Sequence, residues 1–213
     1  MNVIEKQISV SLEPAFETEY LGLLNEYFAA SERNGRASSI HEKKKLMAVK
    51  EEMARLCNMN PQKINMLKAV IQEVRDSREK LIVLTKSNAV ANELLGELAA
   101  DEEMEGVLLL HAQMSIHEVN QIHDRFNKSP RSTVLLVTDA VNTGLDFTAA
   151  NHLLHYDYPI RYNEMIQRNL RITKQTSPHS QATIYYLVTT GKIDDFDYRE
   201  CRSEKEGIEA VSS

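Results

Sequence analysis

The residues best placed to do chemistry stand between positions 134 and 157, in VLLVTDAVNTGLDFTAANHLLHYD. Two apolar runs, 134–137 and 152–156, each end in a carboxylate, Asp139 and Asp157, with NTGLD held between them. In parallel sheets ligands bind at the carboxyl ends of strands, and glycine serves where backbone must approach a ligand closely. Thr138, Asp139, Gly144 and Asp146 therefore mark a binding loop. Lys86 and Ser87 follow the apolar run LIVLT, and Ser115 precedes the helical IHEVNQIHDRF. A basic segment, QRNLRITKQ, adds Gln167, Arg168, Arg171 and Lys174.

Other chemistries fit less well. The sequence has seven histidines, but His111, His117 and His123 do not line one helical face, and His152 and His155 would point to opposite sides of a strand. No metal site is expected. TTGKID imitates the end of a phosphate loop, yet Tyr186 stands where the loop's first glycine belongs and Ile193 where its Ser or Thr belongs. DEEM at Asp101 imitates a magnesium-binding motif but follows a helix and a polar turn instead of a buried strand. Neither the phosphate loop nor the magnesium-holding acids of a complete nucleotide triphosphatase is present.

The candidate residues need elements to hold them. EPAFETEYLGLLNEYF sets Phe16, Tyr20, Leu23, Leu24 and Tyr27 on one helical stripe, and a charged helix around IHEKKKLMAVKEEMARL follows the loop RNGRASS. In NMNPQKINMLKAVIQEV, Asn60 is positioned to cap a helix with Pro61 at its first residue, and Ile64, Leu67, Ile71 and Val74 recur at helical spacing. Then the period changes. KLIVLT, GVLLLH, TVLLVTD, HLLHYD and ATIYYLV read as strands, alternating with helical NAVANELLGEL, SIHEVNQIHDRF and YNEMIQRNLRI. Ser115 and Glu118 have the spacing of a capping box. DDFDYRECRSEKEGIEAV reads as a closing helix. The pattern predicts an α/β fold, a parallel sheet with helices on both faces, preceded by a helical annex. The predicted division is 1–79 for the annex and 80–213 for the lobe.

Composition agrees with this organisation. The 213 residues, 42% hydrophobic and 26% charged, supply one good core with a helical annex. A net charge of -6 argues against wholesale electrostatic capture of nucleic acid but leaves room for a local basic face. Cys57 and Cys201 are far apart and have no second pair, so a reducing cytoplasm is expected and no disulfide framework. MNVIEKQISV carries no apolar signal core, and no run approaches the roughly 18 residues of a membrane helix. Neither export nor membrane insertion is expected.

The motif order, LIVLTKSN, LHAQMSIHEVNQIHDRFN, LLVTDAVNTGLDFTAANHLLHYD and QRNLRITKQ before a last strand, resembles the second RecA-like lobe of superfamily two helicases and translocases. More closely it resembles the SWI/SNF-type branch, whose members move along double-stranded DNA using ATP. The resemblance runs from about residue 5 to 210. ISVSLEPAFETEYLGLL, KINMLKAVIQEV and LVTTGKIDDF are similar to that lobe's leading segment, bridging helix and closing segment.

The resemblance carries over where residues match. Lys86, Ser87 and Ser115 occupy positions that hold DNA backbone phosphates in the family, against the plain alternative of helix caps and a solvated lysine. Thr138 and Asp139 fall in a motif that touches both nucleic acid and nucleotide; Gly144 would allow close approach and Asp146 would reach a ribose hydroxyl, where a plain turn is the alternative. In QRNLRITKQ, Gln167 and Arg171 match the family pattern, while Leu170 replaces a Gly or Asp, Lys174 a second Arg, and Thr176 a Gly. Arginine fingers stabilise charge on the transferring phosphoryl group through a planar fork, whereas Lys is a point charge. Either Arg171 is the finger with Lys174 a weaker partner, or Arg168 has gained importance; a basic solvated helix face is the bland alternative.

One wall of an ATP cleft is thereby implied. ATP and magnesium would bind only together with an N-terminal RecA-like lobe, on the same or a separate chain, and duplex DNA would be the track. Alone, as a fragment of a larger motor or one half of a split one, the 213 residues are expected not to hydrolyse ATP. Two other functions are compatible. One is a stand-alone docking or DNA-binding lobe of viral or mobile-element origin, favoured by the departures in QRNLRITKQ. The other is an RNA helicase lobe, because the wording TDAVNTGLD is shared across the superfamily.

Overall fold

Runs that are apolar on both sides suit strands covered on two faces. A computed structural model, which describes residues 1–33, 40–131, 133–139, 147–159, 161–173 and 177–212, folds them that way. The strands are β1 (Asn2–Val10), β2 (Leu81–Thr85), β3 (Val107–Leu110), β4 (Val134–Thr138), β5 (His152–His155) and β6 (Gln181–Thr189). The helices are α1 (Pro14–Arg33), α2 (Ile40–Asn58), α3 (Pro61–Asp76), α4 (Asn88–Ala99), α5 (Ile116–Lys128), α6 (Tyr162–Thr173) and α7 (Ile193–Ser212), with a short 3-10 turn at Glu102–Met104.

All strand pairings are parallel, in the order β1-β6-β5-β2-β4-β3. Two cores lie on opposite faces. Leu81, Val83, Leu136 and Tyr156 join Leu67 and Ile71 of α3 and Leu94 of α4 on one face. Leu84, Val137 and Tyr186 join Phe126 of α5, Met165 and Ile172 of α6 and Cys201 of α7 on the other. A third, smaller core unites α1 and α2, and the predicted stripe Phe16, Tyr20, Leu23, Leu24 and Tyr27 packs there with Met53 and Leu56 against Ile193 of α7. Among the described residues no helix is long and apolar enough to cross a membrane.

Two local expectations change. Residues 1–79 read as mostly helical and hold α1, α2 and α3, but their first segment, without an expected element, is β1, which pairs with β6 along nine residues at the sheet edge. Its side chains are mostly exposed, so it lacks the apolar signature of a central strand. Asn60 does not cap α3 with its side chain. That amide is buried and instead donates to the Ser11 carbonyl (2.8 Å) and accepts from the Glu13 amide (3.3 Å), pinning the β1–α1 connection to α3.

The topology positions the site. From central β2 the chain runs out to edge strand β3, returns to β4 beside β2, and then crosses to β5 on the other side of β2. The carboxyl ends of β4, β2 and β5 thus meet at the point where the strand order reverses, which is where open α/β sheets bind ligands.

Candidate functional site

Three consecutive strand ends in space supply the polar groups, and Asp157, four per cent exposed, is the node between them. Its carboxylate accepts from Thr85 Oγ1 (2.7 Å) and from the Lys86 backbone amide (2.9 and 3.0 Å) at the end of β2. Arg168 of α6 reaches the same carboxylate through Nη2 (3.3 Å) and the Asp157 carbonyl through Nη1 (2.5 Å). It also forks onto Asp139 at the end of β4, Nε to Oδ1 at 2.8 Å and Nη2 to Oδ2 at 2.5 Å. Such bidentate pairs combine energy with fixed geometry. One guanidinium therefore ties both acidic strand ends to the helix that carries QRNLRIT.

Arg168 is three per cent exposed. Burial by itself would lower its pKa, but the hydrogen bonds to Asp139 and the charges of Asp157 and Asp139 outweigh it and raise the pKa. His155 completes the support from beneath. Its ring lies against Tyr186 and Tyr158, its Nε2 is 2.7 Å from Asn169 Oδ1, and its Nδ1 faces Arg168 Nη1 at 3.4 Å. With Oδ1 as an acceptor and the guanidinium as a donor, the geometry fits the neutral tautomer protonated at Nε2. Burial first, and the Arg168 charge second, push its pKa down to about 3.

A pH dependence follows. The unfolded chain protonates this imidazole below about pH 6.5, while the folded chain keeps it neutral down to about 3, so the contribution is present above 6.5 and lost as pH falls across that window. Its limiting slope is about 1.4 kcal/mol per pH unit. Urea denaturation at a series of pH values should show stability falling more steeply for the parent than for His155→Gln; equal slopes would show that His155 does not hold this proton balance.

Lys86 and Ser87 stand where β2 leads into α4. Ser87 caps that helix, accepting from the Ala89 and Val90 amides, and Lys86 Nζ is 3.3 Å from Asp197 of α7. Ser115 forms the predicted capping box: it accepts from the Glu118 amide (3.3 Å), while Ser115 N and Oγ donate to the Glu118 carboxylate (both 2.7 Å). Thr138 is buried, and its hydroxyl finds no hydrogen-bond partner among the described residues. Gln167 is exposed on α6. Arg171 follows one helical turn after Arg168, half-buried; burial lowers its pKa, with Asp139 opposing and Arg168 adding to the fall. Gly144, Asp146 and Lys174 lie outside the described residues. Among the described residues no group of three or more His, Cys, Asp or Glu could hold a metal ion.

Asp139, Asp157 and Arg168 stand out singly in the sequence, but the cluster they form does not. The signal was two strands each ending in Asp; joining them required knowing that β4 and β5 flank β2. Thr85 and Asp197 are not legible as site residues, and His155 is read only as a discarded metal ligand, because their partners lie 72, 111 and 14 positions away in the chain.

The parallel sheet with helices packed on both faces is RecA-like. The chain belongs to the family of helicase conserved C-terminal domains, which match residues 62–175. It is 27% identical over 150 residues to the candidate ATP-dependent helicase/translocase YwqA of Bacillus subtilis, covering 69% of this chain and 16% of that protein. It is 30% identical over 98 residues to the ATP-dependent RNA helicase DBP2 of Chaetomium globosum, covering 46% of this chain and 17% of that one. The chain thus spans about one sixth of the length of these relatives. In fold it is similar to the Sulfolobus solfataricus SWI2/SNF2 ATPase core solved with double-stranded DNA, with a TM-score of 0.75 and 15% identity over 91% of this chain and 42% of that one. The C-terminal part of the Fun30 ATPase domain gives a TM-score of 0.79 at 11% identity, over 94% of this chain and 88% of that one. The fold is that of SWI2/SNF2-type C-terminal lobes.

Proposed function

We propose that the chain is the C-terminal motor lobe of an ATP-dependent DNA translocase, supplying the arginine-finger side of the ATP cleft and part of the DNA-backbone track. The observation that carries this is the single cluster Lys86–Asp157–Arg168–Asp139. It links a strand end of the phosphate-binding type to the helix bearing Arg171 through buried charged hydrogen bonds. Arg171 acts as the finger with Lys174 as a weaker partner, and Gln167 is assigned with them to catalysis; Gly144 and Asp146 are assigned to nucleotide binding, and Lys86, Ser87, Ser115 and Thr138 to the nucleic-acid backbone. The division at residues 79 and 80 separates annex from lobe, with β1 lent by the annex to the sheet edge. ATP and magnesium enter only with an N-terminal RecA-like lobe, because the 213 residues hold neither a phosphate loop nor an acidic magnesium motif. The compartment is a reducing cytoplasm, in which Cys57 and Cys201 stay free.

The likeness to DBP2 favours a second proposal, an RNA helicase lobe. One experiment separates the two. The purified chain should show no ATP turnover with any nucleic acid, and pairing it with its cognate N-terminal lobe should produce turnover stimulated by duplex DNA more than by RNA. Stronger stimulation by RNA would move the assignment to the second proposal. Turnover by the chain alone, abolished by Arg171→Ala, would contradict both.

A further inference from the structure

The annex brings a second cation to the end of β2. Lys50 of α2 lies 3.5 Å from Asp197 Oδ1, and Lys86 lies 3.3 Å from Oδ2 of the same carboxylate. Both lysines line an open groove of about 680 Å³ between α2 and the start of α4, where Ala89 and Val90 also line it. Two ammonium groups sharing one carboxylate leave one positive charge over at Asp197, which only the exposed Glu51 on the same groove opposes. The groove's other charges are largely spoken for. Arg55 is held by Glu52 (3.3 Å) and Glu93 (3.5 Å), and Asp157 by Thr85, Lys86 N and Arg168; Glu51 is exposed on α2. The start of α4, capped by Ser87, turns its positive end toward the same place.

Resting on the motor-lobe proposal, we infer that Lys50 and Lys86 together form a subsite for one phosphodiester of the nucleic-acid backbone. Asp197 is the anion that occupies it until the strand arrives. The lysines are about two-fifths exposed, so their pairs with Asp197 are weak and exchangeable. Asp197 is ten per cent exposed and anchored on α7, so it stays in place while the lysines swing to the phosphate. The annex thereby joins the track, and α7 sets how tightly the track holds.

The test is fluorescence anisotropy of the 213-residue chain with a labelled DNA duplex of mixed sequence, across a salt series, with a duplex RNA of the same sequence as a second probe. Lys50→Ala and Lys86→Ala should each weaken binding to unrelated sequences alike, and the variant lacking both lysines should flatten the log–log salt dependence by about 0.9, the loss of one phosphate contact. Asp197→Asn, nearly isosteric, should tighten binding about fivefold, and that gain should vanish in the background lacking both lysines. Weaker or unchanged binding by Asp197→Asn, with circular dichroism reporting a folded chain, would mean that Asp197 orients the lysines or is remote from the strand, and would overturn the inference. Loss of binding with Lys86→Ala but no response to Lys50→Ala or Asp197→Asn would sink the subsite and leave the motor lobe standing. Absence of binding by every variant, to DNA and RNA, would remove both.

Discussion

Arg168→Ala is expected to destabilise the folded chain by about 3–5 kcal/mol, the range for removing one partner of a buried ion pair. The loss comes less from the attraction given up than from what stays behind. Asp157 is four per cent exposed, and without the guanidinium its carboxylate keeps only Thr85 Oγ1 and the Lys86 amide. Asp139 suffers less, because its side chain is about a third exposed and water can replace the fork. Two companions sharpen the test. Asp139→Asn should cost clearly less than Arg168→Ala, and adding Asp157→Asn to Arg168→Ala should recover part of the loss, since the stranded charge is then gone. Urea denaturation gives the free energies, and for a chain of this size the melting temperature should drop by about 10 °C. A cost below about 1 kcal/mol would place Arg168 with ordinary surface pairs and deprive the cluster of its role as the tie between β4, β5 and α6.

That cluster shows where the sequence stops being legible. The alternation of short buried strands with helices predicts the parallel sheet, because apolar period and turn residues are local properties. The stripe on α1 and the capping box at Ser115 are local too, and both form as expected. β1 is missed because an edge strand is bonded on one side only and keeps Glu5, Lys6 and Gln7 in water. Asn60 is read as a cap because its neighbours carry the cap signature, yet a buried amide serves whichever backbone groups the tertiary fold leaves open, here Ser11 and Glu13. The candidate site divides in the same way. Lys86 and Ser87 are legible as a strand end followed by a helix cap. The bond from the Lys86 amide to Asp157 and the parking of the Lys86 side chain on Asp197 are not, since they span 71 and 111 residues of chain.

Arg171→Ala, in the chain joined to its N-terminal lobe, is expected to lower the ATP hydrolysis rate by on the order of a thousandfold, the low end for loss of an arginine finger. Arg171 follows Arg168 on α6, and Asp139 and Arg168 are the charges that act on it, so the buried clamp fixes the base from which its guanidinium extends. A finger acts on charge that develops as the phosphoryl group transfers, so nucleotide affinity should change far less than turnover. Arg168→Lys separates the two roles. It keeps a charge but loses the fork, so it should lower stability and turnover together, whereas Arg171→Ala should lower turnover far more than stability. Lys174→Arg supplies the complementary gain. If Lys174 is a weakened second finger, restoring the planar fork should raise turnover, because two phosphate oxygens can then be engaged at once. The measurement is steady-state ATPase with saturating duplex DNA, alongside nucleotide binding by each variant. Rates that do not move in either Arg171→Ala or Lys174→Arg would strip α6 of a catalytic part and leave a lobe that docks on nucleic acid or on another motor without turning over nucleotide.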